Sequence, residues 1–133
     1  MHTPSTNHEK TFPYITRLQD NITEFMTLEK TILKGEKPDS PKLLFRYLAL
    51  GETYTKDQPK EFKIRMYNRI LNILLETVCD TYIAQQWRDL CLNYCNKPLA
   101  SLSTLAETAP EKEHLRKQLT TFKSLSHYFY QHH

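Results

Sequence analysis

Glycine is nearly missing from this chain: Gly35 and Gly51 are the only two in 133 residues. A turn-rich β fold needs many more, and a glycine-rich phosphate loop or the GxSxG elbow of a hydrolase cannot be built at all. Cysteine is scarce and odd in number, so Cys79, Cys91 and Cys95 fit free thiols in a reducing compartment better than a disulfide framework. No run approaches the roughly 20 apolar residues that cross a bilayer. The start, Met1-His2-Thr3-Pro4-Ser5, lacks the basic-then-apolar layout of a secretory signal. HExxH, CxxC and HxxxH spacings are also absent. The expectation is a soluble cytoplasmic protein with no membrane contact, no cofactor, no metal and no catalytic centre.

Apolar residues make up 39% of the chain and charged residues 25%, a globular balance rather than a disordered one. Eighteen basic side chains face fifteen acidic ones, a net charge of +3 that permits an anionic partner without requiring one. The length suits one domain. Residues 1–10 are polar and carry Pro4, which reads as a mobile N-terminal arm, and residues 11–133 read as a single helical domain.

Helical periodicity dominates what is there. Between Pro59 and Asn96, Phe62, Met66, Ile70, Ile73, Leu74, Val78, Tyr82 and Ile83 recur at steps of mostly three and four, one face of an α-helix that must be buried. Unbroken, that stretch would extend about 57 Å at 1.5 Å per residue, too long for a small domain. A break is expected near Cys79-Asp80-Thr81, where poor helix formers follow Val78, and Pro98 should end the stretch. Upstream, Pro13 suits a first turn, and Ile15, Leu18, Ile22, Phe25 and Ile32 follow at intervals of three, four, three and seven up to a stop at Gly35. Asp39 or Ser40 can cap a short second helix from Pro41, nearly apolar all round and closed by Gly51. After a short Ser/Thr/Ala-rich segment, Pro110 restarts the chain into a helix carrying Leu115, Leu119, Phe122, Leu125 and Phe129. The fold class that follows is all-α: a compact bundle of four to five helices with one long central helix broken near residues 79–81.

Chemistry-bearing patterns are few. Cys91 and Cys95 share a helical face, but no second pair of ligands accompanies them, so packing thiols are the simpler reading. Glu76 and Asp80 lie four apart, and Glu111-Lys112-Glu113-His114 is a lone match to a di-metal motif that reads more simply as a solvated face. Lys60, Lys63, Arg65 and Arg69 form a basic cluster at the start of the long helix, against its macrodipole. They could hold an anion, on nucleic acid or an acidic protein segment, or simply pair with carboxylates of another helix.

Two aromatic-rich segments exceed what one face of a short helix can bury: Phe45, Tyr47 and Leu48 in the second helix, and Tyr128, Phe129 and Tyr130 in the tail. They are the candidate protein-binding surfaces. The resulting expectation is a non-enzymatic helical protein-binding module, an adaptor, chaperone or regulatory factor, whose partner is another protein or a second copy of itself. The alternative is nucleic-acid binding through the basic cluster.

Overall fold

The computed structural model describes residues 21–132; the arm over residues 1–10, the helix start near Thr11 and Pro13, the seam residues Ile15 and Leu18, and His133 lie outside the described residues. Helix α1 occupies residues 21–34 and ends at Gly35, whose φ of +60° is a left-handed stop that an L side chain resists. Its N–H returns to Thr31 O at 3.0 Å. Of the expected seam, Phe25 and Ile32 are buried, joined by Leu28, whereas Ile22 is exposed.

Helix α2 spans Pro41–Thr55, with Pro41 in its first turn and Ser40 at the cap position without a side-chain hydrogen bond. Asp39, the other expected cap, instead accepts from Gln86 Nε2 at 2.8 Å. Gly51 does not close this helix. It sits buried inside α2, where an added Cβ would stand 2.5 Å from Ile70 Cδ1, so its missing side chain lets α2 press against the next helix. The link to that helix passes through Asp57, at φ +65°, to Pro59.

Helix α3 spans Lys60–Cys79 and is the central one, packed against α2, α4 and α5. Ile70, Leu71, Leu74 and Val78 are buried along it. The expected break follows: Asp80 Oδ1 accepts from the Tyr82 N–H at 3.0 Å and Asp80 O from the Ile83 N–H at 3.1 Å, an aspartate-led turn that competes with further helix. Because the helix has ended, its periodicity no longer governs Tyr82, which is 99% exposed rather than on the buried face.

Helix α4 spans Gln85–Tyr94 and α5 spans Asn96–Leu105, with Cys95 alone between them. Pro98 does not end the stretch but lies in the first turn of α5. It has no N–H to donate back to Tyr94, which places the discontinuity three residues before it. Helix α6, Ala109–His132, is about 36 Å long at 1.5 Å per residue. It starts with a reciprocal capping box in which the Thr108 N–H donates to Glu111 Oε1 at 3.0 Å and the Glu111 N–H donates to Thr108 Oγ1 at 3.3 Å.

Three contacts orient α6. Lys60 meets Glu111, Asn68 meets Gln118, and Arg88 joins the carbonyl of Val78 to the ring of Phe129. Positions advance together on both sides, so α6 runs parallel to α3. Trp87 and Arg88, adjacent on α4, each donate to a carbonyl at a helix end: Trp87 Nε1 to Ile32 O at 3.1 Å, which the Gly35 N–H also reaches, and Arg88 Nε to Val78 O at 2.9 Å. The all-α bundle expected from periodicity is the architecture observed, with no strand among the described residues. No helix among them is long and apolar enough to cross a membrane.

Candidate functional site

The four cations of the basic cluster do not form one surface. Lys63 to Arg65 is a step of two residues, about 200° around a helix, so Lys60 and Lys63 lie on one side of α3 and Arg65 and Arg69 on another. Lys60 Nζ is held by Glu107 at 2.6 Å and Glu111 at 3.0 Å, an acidic clasp at the start of α6 that offsets the cation's unfavourable place at the N-terminus of α3. Glu111 is pulled down to about 2 by the main-chain N–H groups of Glu107 and Thr108, which donate to its carboxylate, and then by Lys60.

Arg69 is committed on the opposite side. Its Nε and Nη2 form a fork on Glu29 at 2.7 and 2.6 Å, and Tyr47 Oη donates to the same carboxylate at 2.7 Å. Glu29 is buried, and Phe25 stacks on the Tyr47 ring with centroids 4.6 Å apart. Burial, followed by the hydrogen bond to Glu29, pushes the Tyr47 hydroxyl well above the usual tyrosine range. This triad ties α1, α2 and α3 together. Tyr47 is therefore a core residue and presents no docking surface.

Phe45 and Leu48 are placed differently. Phe45 is 42% exposed and its ring lies 5.1 Å from that of Tyr94 at a 54° tilt, joining α2 to α4 across the surface. With half-buried Leu48, exposed Ala49, and Ile70 and Pro98 beneath, they wall a cavity of about 390 Å³ with Glu52, Tyr67 and Lys97 at its margin. Glu52 and Tyr67 also line a second, polar cavity of about 310 Å³ with Thr53, Thr55, Lys56 and Lys63. The two cavities thus meet at the Tyr67 Oη–Glu52 Oε2 contact of 3.4 Å, with Thr55 Oγ1 3.1 Å from the same hydroxyl. They lie in a row along the outer edge of α2 as a furrow in two parts bridged by that contact, apolar at one end and lysine-rich at the other.

The tail divides too. Tyr128 is 52% and Tyr130 80% exposed, but Phe129 is buried, with the guanidinium of Arg88 5.0 Å from its ring centroid. Helix geometry explains it: consecutive residues are about 100° apart around the axis, so with Phe129 facing inward its two neighbours are turned to either flank. Arg65 has no ion-pair partner among the described residues and lies with Arg69 along the outer side of α3.

Among the described residues no group of three or more His, Cys, Asp or Glu converges as a metal site. Cys91 and Cys95 are buried, and burial pushes both thiols up to about 12. Cys95 Sγ sits 3.3 Å from the carbonyl of Cys91. Cys79 is exposed. Glu111 is the capping residue of α6, not half of a metal motif, and Glu113 pairs with Arg116.

Sequence reasoning missed Tyr94, Lys97 and Pro98, which reach the furrow from the α4–α5 junction, and Glu29. Only Glu29 left a signal: it fills the seven-residue interval between Phe25 and Ile32, four after one and three before the other. Compared with known proteins, the chain matches no family, no curated protein and no solved structure.

Proposed function

We propose that this chain is a non-enzymatic helical module that binds another protein through the furrow bounded by Phe45, Leu48 and Tyr94. The supporting observation is that pair of aromatic rings, part-exposed and rigidly backed: Phe45 and Tyr94 come from different helices, over a floor of buried Ile70 and Pro98. Large, pre-oriented aromatic surface with a fixed floor is what anchors a protein contact at low entropic cost. An adaptor or regulatory role fits such a surface.

Nucleic-acid binding through the basic cluster has less behind it. Lys60 and Arg69 already carry carboxylate partners, and the two without one among the described residues, Lys63 and Arg65, are on different sides of α3.

Capture from native extract after nuclease treatment tests the reading, using the wild type and Phe45→Asp side by side. Phe45 is exposed near the start of α2, so Asp there should leave the helical circular dichroism intact. A partner held by the wild type and lost by Phe45→Asp supports binding at the furrow. Retention of every partner by the variant, or loss of all of them on nuclease treatment, overturns it.

A further inference from the structure

The chemistry of the furrow's rim narrows its occupant, on the premise that the furrow binds protein. Arg46, Lys60, Arg69 and Arg116 are each neutralised by a carboxylate of this chain. Lys56, Lys63 and Lys97, which line the furrow, have no such partner among the described residues. Lys60 and Lys63 make the contrast sharp: they are one helical turn apart, yet only Lys60 is clasped by acids. One carboxylate, Glu52, lies midway and is engaged by Tyr67 Oη. Three lysines against one glutamate leave the rim positive around an apolar seat.

Phe45 to Lys56, the residue that follows α2, is a step of eleven residues, about 16 Å at 1.5 Å per residue. That matches about five residues of extended chain at 3.3 Å each. We propose that the furrow takes an acidic segment of a partner polypeptide that carries one large apolar side chain. The apolar side chain seats between Phe45, Leu48 and Tyr94, and the flanking carboxylates meet Lys97 at one end and Lys56 and Lys63 at the other. The apolar seat supplies the anchor, and the lysines select against basic or neutral segments and speed encounter.

Fluorescence anisotropy with labelled seven-residue peptides tests this on the full chain. The probe has a central phenylalanine flanked by three aspartates on each side; one control replaces the phenylalanine with alanine and another replaces the aspartates with lysines. The probe is expected to bind at least tenfold more tightly than either control, and to weaken several-fold when salt rises from about 0.05 to 0.5 M, as exposed charges are screened. Lys56→Glu combined with Lys63→Glu should weaken it a further tenfold, and Phe45→Ser should abolish the difference between phenylalanine and alanine probes. Phe45 and Lys56 are exposed and Lys63 is half-buried, and unchanged circular dichroism verifies the fold of both variants.

Equal binding of the lysine-flanked peptide, or no loss in the double lysine variant, overturns the proposal. So does tighter binding of single-stranded poly(U) that the same variants abolish, which would make the anionic occupant a nucleic acid. If no probe binds while Phe45→Asp still loses its partner from extract, the acidic class falls and the protein-binding reading stands. If Phe45→Asp keeps its partners, that reading falls first.

Discussion

Gly51 of α2 lies so close to Ile70 of α3 that a methyl group on it would stand 2.5 Å from Ile70 Cδ1. The atom in the way is the end of a side chain that is itself buried. Two effects therefore compete in Gly51→Ala. Alanine is favoured over glycine inside a helix by about 1 kcal/mol, while forcing a packed core apart costs about 1–3 kcal/mol. The second should win, with a net loss of about 1 kcal/mol. Ile70→Val removes the obstructing atom at a cost of its own of about 0.5–1.5 kcal/mol. Urea unfolding of both single variants and the double should give a double less destabilised than the sum; strict additivity would show that the contact does not set the spacing of α2 and α3.

The Glu29 carboxylate serves Tyr47 and Arg69 at once. Tyr47→Phe leaves the fork to Arg69 in place and should cost about 1–2 kcal/mol. Glu29→Ala strands the buried hydroxyl and should cost about 3 kcal/mol or more. Thermal denaturation compares them, and a Glu29→Ala loss no greater than that of Tyr47→Phe would contradict the arrangement.

Tyr47 also dictates behaviour in alkali. Its folded pKa is raised, chiefly by burial and then by the bond to Glu29. The native state keeps the proton that the unfolded chain gives up near pH 10, so the contribution is complete below about pH 10 and lost as pH rises beyond it. Absorbance at the tyrosinate band should show Tyr47 ionising only with unfolding, and Tyr47→Phe should flatten the alkaline fall in stability.

Glu111 acts at the other extreme. Its folded pKa is depressed to about 2, so its contribution is present above the unfolded value near 4.5 and lost as pH falls from there towards 2. Glu111→Gln should lower the melting temperature at pH 7, and the gap between variant and wild type should close at pH 2. An equal gap at both would mean that the charge on this cap carries nothing.

Cys79 is exposed, while Cys91 and Cys95 are buried with pKa values pushed to about 12. Titration of the native protein with a thiol-reactive disulfide at pH 8 should therefore register one rapid thiol, and two more only in denaturant. Rapid reaction of all three would mean that α4 opens readily in the native state.

Phe129 illustrates where pattern and placement part. Tail aromatics read as surplus in the sequence, yet the Phe129 ring is buried with Arg88 beside it. Phe129→Ala should cost about 3 kcal/mol and Tyr130→Ala little, as chemical denaturation would measure; equal effects would put Phe129 outside the core.

The helices were legible because a period near 3.6 is written locally: each buried position on α3 is chosen by the residues three and four away. Gly35 and the Asp80-Thr81 break were legible for the same reason, as backbone preferences of single residues. The split of the basic cluster could also have been read from the two-residue step between Lys63 and Arg65, and the Thr108 to Glu111 capping box from its spacing. Gly51 could not. Nothing local distinguishes a glycine that ends a helix from one that admits a neighbour, since the deciding atom belongs to Ile70, nineteen residues on. The furrow is of the same kind. Phe45 and Leu48 were picked out by their hydrophobicity, but whether they face outward, and that Tyr94, Lys97 and Pro98 complete the wall, depends on how α4 and α5 dock. By itself the sequence determined an all-α chain and its main break; the tertiary structure alone decided which aromatics and which thiols are core and which cations remain unpaired among the described residues, because burial and ion pairing belong to elements brought together from distant parts of the chain.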